Sequence, residues 1–221
     1  MMFLPKSFSI FIVIVLLFVG GFFPSCTTKN IKTEQRSYLQ KDLKIQDYFP
    51  LRIGDTRVYR IRYKQGRVIR REIKIIGKKG DTFIDNTNPP QRYKIDAYGL
   101  RGGNKRYLLK YPLRVGTRWL SVTSITRVER YQIISIRRLV TVPAGIYKNC
   151  IVVRSRERQS SGEILENNMY FARDVGIVKV ATIFESHGKR IPQWTLELIS
   201  FQQTQKASPK MTKKSIPSKG K

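Results

Sequence analysis

The stretch DTRVYRIRYKQGRVIRREIKII, residues 55–76, decides the fold class. Apolar and basic side chains alternate through its first half: Tyr59, Arg60, Ile61, Arg62, Tyr63 and Lys64. Successive side chains on a strand point to opposite faces, so this alternation predicts a half-buried strand. A turn at Gln65-Gly66 leads into a second run, in which Ile69, Ile73 and Ile75 share one face. The stretch therefore predicts a β-hairpin.

The rest of the chain follows the same pattern. Turn-forming residues break it at GKKGD, NTNPPQ and YGLRGGNK. The further strand candidates are QRYKIDAY, KRYLLKY, RWLSVTSITRVERYQIISI, LVTVP, KNCIVVRSRER, NNMYFAR, GIVKVATIFE and WTLELISF. Many short strands without a long helical period predict a mainly β protein, with a strongly curved or partly closed antiparallel sheet. The helices allowed for are a signal helix at the N-terminus and short segments in the tether or between Asp42 and Phe49.

The N-terminus predicts export. Lys6 precedes an apolar run from Phe8 to Phe23, and the small residue Ser25 precedes Cys26. This pattern is typical of a secretory signal peptide over residues 1–25. The run is shorter than the ~20 apolar residues that a membrane-spanning helix needs. An uncleaved membrane anchor is the alternative.

The segment FFPSC resembles the lipobox of bacterial lipoproteins, although Phe23 and Pro24 depart from the usual residues. The resemblance implies that Cys26 carries fatty acyl chains such as palmitate and becomes the first residue of the mature protein. Thr27 is not the aspartate that retains enterobacterial lipoproteins at the inner membrane, which implies an outer-membrane anchor. Two acyl chains hold a protein stably on a membrane.

Composition divides the mature chain into three parts. Residues 26–46 are polar and predict a lipidated tether, and residues 47–201 have the length of a single β-domain. Residues 202–221 contain six lysines and no acidic residue, which predicts a disordered basic tail. The second cysteine, Cys150, lies in the apolar run NCIVV and is expected to be a small buried hydrophobic residue. A disulfide with Cys26 is the alternative in an oxidising compartment.

The segment PLRIGDTRVY, residues 50–59, returns as PLRVGTRWL, residues 112–120. Aligned by their Thr-Arg pairs, the second copy lacks a counterpart of Asp55. Proline does not fit a central strand, and Gly54 and Gly116 can adopt the positive φ of a tight turn. Each copy therefore predicts a corner at which a leucine enters the core and a strand begins. The alternative is a paired anion site formed by the arginine of each copy, Arg52 and Arg114.

Three short elements resemble a loosely defined family of bacterial lipoproteins and secreted proteins. They are PLxxGxxW at Pro112, Leu113, Gly116 and Trp119; VPAGxY and a following cysteine at Val142, Pro143, Ala144, Gly145, Tyr147 and Cys150; and YxxxxGxVK at Tyr170, Gly176, Val178 and Lys179. The resemblance spans 47–201. It implies a curved sheet similar to the half-barrels of periplasmic lipoprotein carriers, and it brings no catalytic residue.

The net charge of +28 predicts anionic partners. Residues 47–201 alone hold 31 basic and 13 acidic residues, so the tail is not the main source of charge. Two runs place cations on one face of a strand, which makes them candidate anion-binding residues: Arg60, Arg62, Lys64, Arg154, Arg156 and Arg158. Neighbouring aromatic residues would also suit nucleic acid, but an exported protein meets anionic lipid or envelope polymers first. A basic surface with no specific partner is the alternative.

The sequence offers little for catalysis. Its one histidine, His187, lies in a polar turn, so no metal-ligand cluster, metal or cofactor is predicted. The nearest carboxylate pairs, Asp81 with Asp85 and Glu163 with Glu166, lie in turn-like polar stretches. We therefore expect a protein that is not an enzyme.

The expected function is that of a cell-envelope lipoprotein whose β-domain binds an envelope partner, anionic lipid or polymer through a basic face. The first alternative is a carrier that holds an acyl chain or another apolar ligand in a curved sheet. The second is a polyanion or nucleic-acid binder. A deep apolar concavity would favour the carrier, whereas a filled core would favour the basic-face binder.

Overall fold

The computed structural model describes residues 43–103, 106–125 and 127–204. They form one short helix, α1, at Ile45–Tyr48. Twelve strands follow in chain order, β1 to β12: Thr56–Tyr63, Val68–Lys79, Thr82–Asp85, Arg92–Ile95, Gly99–Gly102, Arg106–Lys110, Arg118–Ser124, Arg127–Val142, Gly145–Arg158, Ile164–Ala172, Gly176–Ser186 and Lys189–Gln202. Within the described ranges, no helix has both the length and the apolar character that crossing a membrane requires.

All twelve strands belong to one antiparallel sheet, in the order β6-β5-β4-β3-β2-β1-β12-β11-β10-β9-β8-β7. The two edge strands, β6 and β7, are consecutive in the chain, so the sheet curls until its edges approach each other. Contacts between described residues cross this seam. Trp119 donates from Nε1 to the carbonyl oxygen of Tyr107 at 2.9 Å, and Arg106 pairs with Glu129 at 3.0 Å. The predicted strongly curved, partly closed antiparallel sheet is confirmed.

The hairpin predicted from residues 55–76 is confirmed. Strands β1 and β2 pair antiparallel with Ile61 opposite Ile69, and Gly66 takes a φ of 84° in the connecting turn. Tyr59 and Ile61 are buried, whereas Arg62 is exposed, as the alternation predicts.

The main core fills the inner face of the curved sheet. Its buried residues are Ile45, Tyr48, Phe49, Leu100, Leu109, Leu113, Trp119, Tyr131, Ile133, Ile151, Val153, Met169 and Phe171. Helix α1 is a single turn without a side-chain cap, so tertiary contacts must hold it. One of them is the bond from the Ile45 backbone N–H to the Tyr111 hydroxyl, at 2.9 Å. Because Ile45 is fully buried, the folded unit includes residues that the boundary at 47 assigns to the tether.

A second apolar cluster forms where the tip of the β8–β9 hairpin packs on its neighbours. There the Ala144 N–H donates to the Leu198 carbonyl at 3.0 Å. Cys150 is a free thiol in this cluster and is fully buried, as predicted. Burial raises its pKa to about 11, so the thiol is unreactive at neutral pH.

Both copies of the repeat are corners, as predicted. Gly54 and Gly116 each have a φ of 93°. Each glycine N–H donates to a carbonyl in the next strand of the sheet, Ile75 for Gly54 and Ile133 for Gly116, at 2.8 and 2.9 Å. Strands β1 and β7 begin two residues after the glycines.

The backbone hydrogen bonds correct the alignment of the copies. Ile75 donates back to the carbonyl of Asp55, and Ile133 donates back to that of Thr117, so these two residues are equivalent. No residue is missing from the second copy. Counting on from the glycines, Arg57 stands where the second copy has Trp119. The pairing of the two Thr-Arg dipeptides is therefore wrong.

Three strand assignments from the sequence are also wrong. YGLRGGNK, predicted as a break, contains strand β5. A side chain at Gly99 would collide with the backbone of Leu109 and Lys110, so glycine permits close strand pairing there. The short strand β3 escaped prediction. The long candidate from Arg118 onward is two strands, β7 and β8, joined by a turn at Ile125.

The predicted signal peptide and helix, the lipidation site Cys26 and most of the basic tail lie outside the described residues. At the other end, strand β12 continues to Gln202, and the Thr204 N–H donates to Asp55 Oδ1 at 3.0 Å. The folded unit therefore extends at least to residue 204.

Candidate functional site

The predicted anion-binding residues lie on one side of the sheet, here called the outer face. On β9, Ile151 and Val153 point into the main core, so Arg154, Arg156 and Arg158 point the opposite way. The equivalent residues are Arg60 and Arg62 on β1 and Lys64 directly after it. Strands β10, β11 and β12 separate β9 from β1. At about 4.8 Å per strand, the two groups lie about 19 Å apart along the sheet.

Arg60 and Arg62 share one carboxylate on the neighbouring strand. Glu197 accepts from Arg60 at 3.2 Å and lies 3.5 Å from Arg62. Lys179 Nζ approaches it from the other side at 3.2 Å. Three cations therefore surround one largely buried anion, and we call these four residues the Glu197 cluster.

Arg154 and Arg156 converge on a second carboxylate, Glu166, whose side chain is 1% exposed. Arg190 donates to Glu166 Oε1 at 2.8 Å, and Asn168 donates to the same oxygen at 3.0 Å. A further carboxylate, Glu185, accepts from Arg156 at 2.7 Å and lies 3.6 Å from Arg190. These six residues form the Glu166 cluster.

The cations keep both central carboxylates ionised. Burial would raise the pKa of Glu166, but hydrogen bonds from Arg190 and Asn168 and the charges of the surrounding arginines outweigh it. The pKa of Glu166 therefore lies below its ordinary value. The same balance lowers the pKa of Glu197, where burial is outweighed by the hydrogen bonds from Lys179 and Arg60.

The outer face keeps an excess of positive charge after these pairings. The Glu197 cluster has three cations and one anion, and the Glu166 cluster has three cations and two anions. Arginines also stand directly opposite each other on adjacent strands, Arg60 with Arg70 and Arg130 with Arg156. Like charges at directly opposed positions destabilise a sheet. The fold tolerates this cost.

Lys64 and Arg158, the last two predicted residues, are exposed beyond the clusters. Lys64 follows the end of β1, and Arg158 ends β9 opposite Ile164. The structure thus gathers four of the six predicted cations into two carboxylate-centred groups and leaves two at the ends of the strands.

The sequence did not identify the residues that organise these groups. Glu197 and Arg190 belong to none of the sequence motifs, and Lys179 appears only as the last residue of YxxxxGxVK. The sequence pattern indicates Glu166 only as the partner of Glu163 in a carboxylate pair. The available signal was register: once β9, β10 and β11 are paired, Arg156 falls opposite Glu166. That pairing is a hairpin between consecutive strands, but its register does not follow from the periodicity of either strand alone.

In the described part of the chain, the cavity enclosed beside the main core is small, and a larger cleft of about 380 Å³ beside Leu51, Phe83 and Ile95 is open to solvent. An apolar cavity of about 90 Å³ lies beside Phe49, Tyr59, Ile75 and Leu196. Sites for drug-sized ligands usually have volumes of about 300 Å³ or more. The main core packs most of the concave side, which is the outcome set out above as favouring the basic-face binder over the carrier.

The carboxylates and the histidine considered as catalytic or metal-binding candidates make contacts that stabilise turns or lie exposed to solvent. Asp85 is buried and accepts bonds from the Thr87 and Gln91 backbone and from the Tyr93 hydroxyl, so it holds the β3–β4 turn. Asp81 pairs with Lys94 at 2.6 Å. His187 is exposed in the β11–β12 turn. In the described ranges, no three His, Cys, Asp or Glu side chains are grouped so that they could hold a metal ion.

No family model matches the chain, and no curated protein matches its sequence. Two solved structures are similar in backbone. One, from Bacteroides fragilis, is described as an exported protein with a YmcC-like fold; it is 10% identical, with a TM-score of 0.41, and the match covers 71% of this chain and 99% of that one. The other, described as a lipoprotein from Parabacteroides distasonis, is 8% identical, with a TM-score of 0.41 and coverage of 72% and 100%. At these values, neither structure informs the function of this chain.

Proposed function

We propose that the chain is a non-enzymatic, lipid-anchored protein of the cell envelope whose β-domain binds an anionic partner through its outer face. The proposal of a lipid anchor rests on the apolar leader that ends at Ser25-Cys26. Binding is supported above all by the two clusters in which buried carboxylates hold an excess of arginines and lysine in place.

The carboxylates act as positioning groups. A free arginine loses side-chain freedom when it binds a ligand, and this loss weakens binding. Glu166 and Glu197 already restrict four of the predicted cations, so less freedom remains to be lost. Because each cluster keeps a net positive charge, the exposed edges of the guanidinium groups can still donate to phosphate or carboxylate oxygens.

Binding is tested with the chain from residue 27 onward, prepared without the signal and the lipid. Two probes are used: soluble polyphosphate, and vesicles of phosphatidylcholine mixed with phosphatidylglycerol. Arg62→Ala combined with Arg154→Ala should weaken binding about tenfold, because each substitution removes a charge-assisted hydrogen bond to the anionic probe. Arg92→Ala combined with Lys79→Ala removes the same charge from exposed positions on other strands and should have little effect.

Salt and truncation complete the test. Added salt should weaken binding, and removal of residues 205–221 should leave most of it intact because the clusters lie within the fold. Equal affinity for neutral and anionic vesicles would refute the role of the outer face, and equal loss in both double variants would refute the role of the two clusters.

The lipid anchor is tested separately in cells. Cys26→Ser should release the protein from membranes or leave its signal uncut. Mass spectrometry of the native N-terminus should find acylated Cys26 as the first residue, and a mature N-terminus at another position would rule the anchor out.

A further inference from the structure

Strand β7 exposes an apolar strip beside the basic residues. Leu120 and Val122 are 63% and 61% exposed, and Ile125, in the following turn, is completely exposed. Their neighbours Trp119 and Ser121 are buried, so the strand follows the expected alternation but turns aliphatic side chains towards solvent. We call Leu120, Val122 and Ile125 the apolar strip.

Nothing in the described fold requires these residues to be apolar. Edge strands usually carry charged or polar side chains on their exposed side, which discourages association. Strand β7 is an edge strand, and Leu120 and Val122 lie on its outer face. A group of exposed aliphatic side chains on an edge is typical of a contact surface.

The strip is bordered by arginines. Leu120 lies opposite Arg130 on β8, which lies opposite Arg156 of the Glu166 cluster, so the strip continues into the basic outer face. Arg118 is exposed at the start of the same strand. Arg118 and Arg130 also line a surface depression of about 230 Å³, together with Trp119, Leu120 and Tyr131.

We propose that the apolar strip docks into an anionic lipid bilayer. The aliphatic side chains enter the acyl boundary, and Arg118 and Arg130 meet lipid phosphates at the headgroup level. This inference rests on the proposed function, since the charge of the outer face provides the attraction, and it identifies the anionic partner as a membrane surface. The strip adds an apolar contact that a soluble polyanion could not use.

Two observations favour a bilayer over a second copy of the chain. If two strips faced each other, Arg118 and Arg130 of both copies would approach, and their like charges would oppose association. An anionic bilayer complements the aliphatic side chains and the arginines at once. The tether also permits the contact, because residues 27–42 can span up to about 60 Å between Cys26 and Leu43.

The test places an environment-sensitive dye at residue 125. Ile125→Cys is labelled in the full, natively processed chain reconstituted into vesicles that carry a quencher on their acyl chains. Cys150 is buried and does not react, and the chain without the substitution corrects for background labelling. The control dye is placed at Tyr98→Cys, an exposed position in the β4–β5 turn. Vesicles contain phosphatidylcholine with or without phosphatidylglycerol.

In anionic vesicles, lipid-borne quenching at residue 125 should be several-fold greater than at residue 98. Leu120→Ser combined with Val122→Ser should abolish most of it. The matched control is Leu139→Ser with Ile146→Ser, which changes aliphatic residues of similar exposure on the β8–β9 hairpin and should leave quenching intact. Thermal melts of all four chains establish that each is folded.

The same samples are tested for binding of polyphosphate. Binding that persists while residue 125 stays unquenched would overturn the bilayer contact and leave the proposed function in place. Loss of polyphosphate binding in the Arg62→Ala, Arg154→Ala chain, together with weaker quenching at 125, would support both. Protection of residue 125 without vesicles, accompanied by a doubled mass in light scattering, would assign the strip to a second copy and overturn the inference.

Discussion

The two corners have the same backbone conformation but bury different side chains. After Gly54, the third residue is Arg57; after Gly116, it is Trp119, and both are buried. Arg57 donates from Nε to the Val175 carbonyl at 2.7 Å and from Nη2 to the Pro50 carbonyl at 3.1 Å. Its guanidinium lies over the rings of Phe49 and Phe201, 5.3 and 5.0 Å from their centroids.

Trp119 serves a different junction. Its ring stacks on Tyr131 with centroids 5.3 Å apart, and its single N–H donates across the seam to Tyr107. Arg57 instead lies in the middle of the sheet and joins three segments: the chain after α1, the β10–β11 turn and the end of β12. An arginine offers five donors in a planar fork, whereas a tryptophan offers one. The number of carbonyls to be satisfied therefore explains which residue stands at each corner.

The largest expected effect is at Arg57. Arg57→Ala should destabilise the fold by about 3–5 kcal/mol, because it opens a cavity and leaves two carbonyls without their donor. Arg57→Lys should lose less stability, because the ammonium keeps the charge and can donate to one carbonyl. Some loss remains, because an ammonium lacks the planar fork with which arginine reaches both carbonyls. Urea unfolding curves give these values.

Substitutions at both corners test the comparison directly. Arg57→Trp should cost nearly as much as Arg57→Ala, since one N–H cannot satisfy two carbonyls. Trp119→Phe keeps most of the ring stacking and should cost about 1–2 kcal/mol for the lost bond across the seam. If Arg57→Trp unfolds at the wild-type midpoint, the corners are interchangeable and this explanation fails.

The leucines of the two copies should rank next. Leu113 is buried in the main core, whereas Leu51 is only half-buried against it. Leu113→Ala should cost about 2–4 kcal/mol, and Leu51→Ala about half as much, because less contact is lost. Melting temperatures of the two variants check the order. Equal losses of stability in the two variants would mean that the difference in leucine burial does not distinguish the corners.

Local pattern was sufficient for much of this fold. The alternation in residues 55–63 predicted strand β1 and its buried side, and the two Pro-Leu-Arg-x-Gly segments predicted both corners. The equivalence of Arg57 and Trp119 follows from an ungapped alignment of the two PLxxG segments, but the duplicated Thr-Arg dipeptide gave a more similar and incorrect alignment. Only the hydrogen bonds to Ile75 and Ile133 establish it. The Glu197 cluster depends on the non-local pairing of β1 with β12, whereas the Glu166 cluster depends on the register of consecutive strands.

Acid should distinguish the corners from the outer face. The folded-state pKa values of Glu166 and Glu197 lie below the ordinary 4.5, so their stabilising contribution is present above that pH and is lost as pH falls through the lowered values. Neither Arg57 nor Trp119 has a carboxyl group that acid could protonate.

Stability curves against pH should therefore run parallel for the wild type, Arg57→Ala and Trp119→Phe. Glu166→Gln should cost about 1–2 kcal/mol at pH 7 and give a flatter curve below about pH 4.5. Glu72→Gln, an exposed carboxylate on β2, is the matched change and should keep the wild-type slope. A wild-type slope in Glu166→Gln would contradict the role of the cluster.

The smallest expected effects are at Arg52 and Arg114, the arginines that the repeat shares. Arg114 is exposed and Arg52 is half-buried, so alanine at either position should change stability by less than about 0.5 kcal/mol. They lie at the starts of β1 and β7, which five strands separate in the sheet order, so a shared anion site has no support from topology.

Arg52 does border an open cleft of about 380 Å³ with Lys78 and Asp81, and binding must therefore be measured as well as stability. The double variant should bind polyphosphate and anionic vesicles as the wild type does. If the double variant melts normally but no longer binds, the repeated segment is a binding site in addition to a corner. The two corners would then share a binding function although Arg57 and Trp119 pack differently.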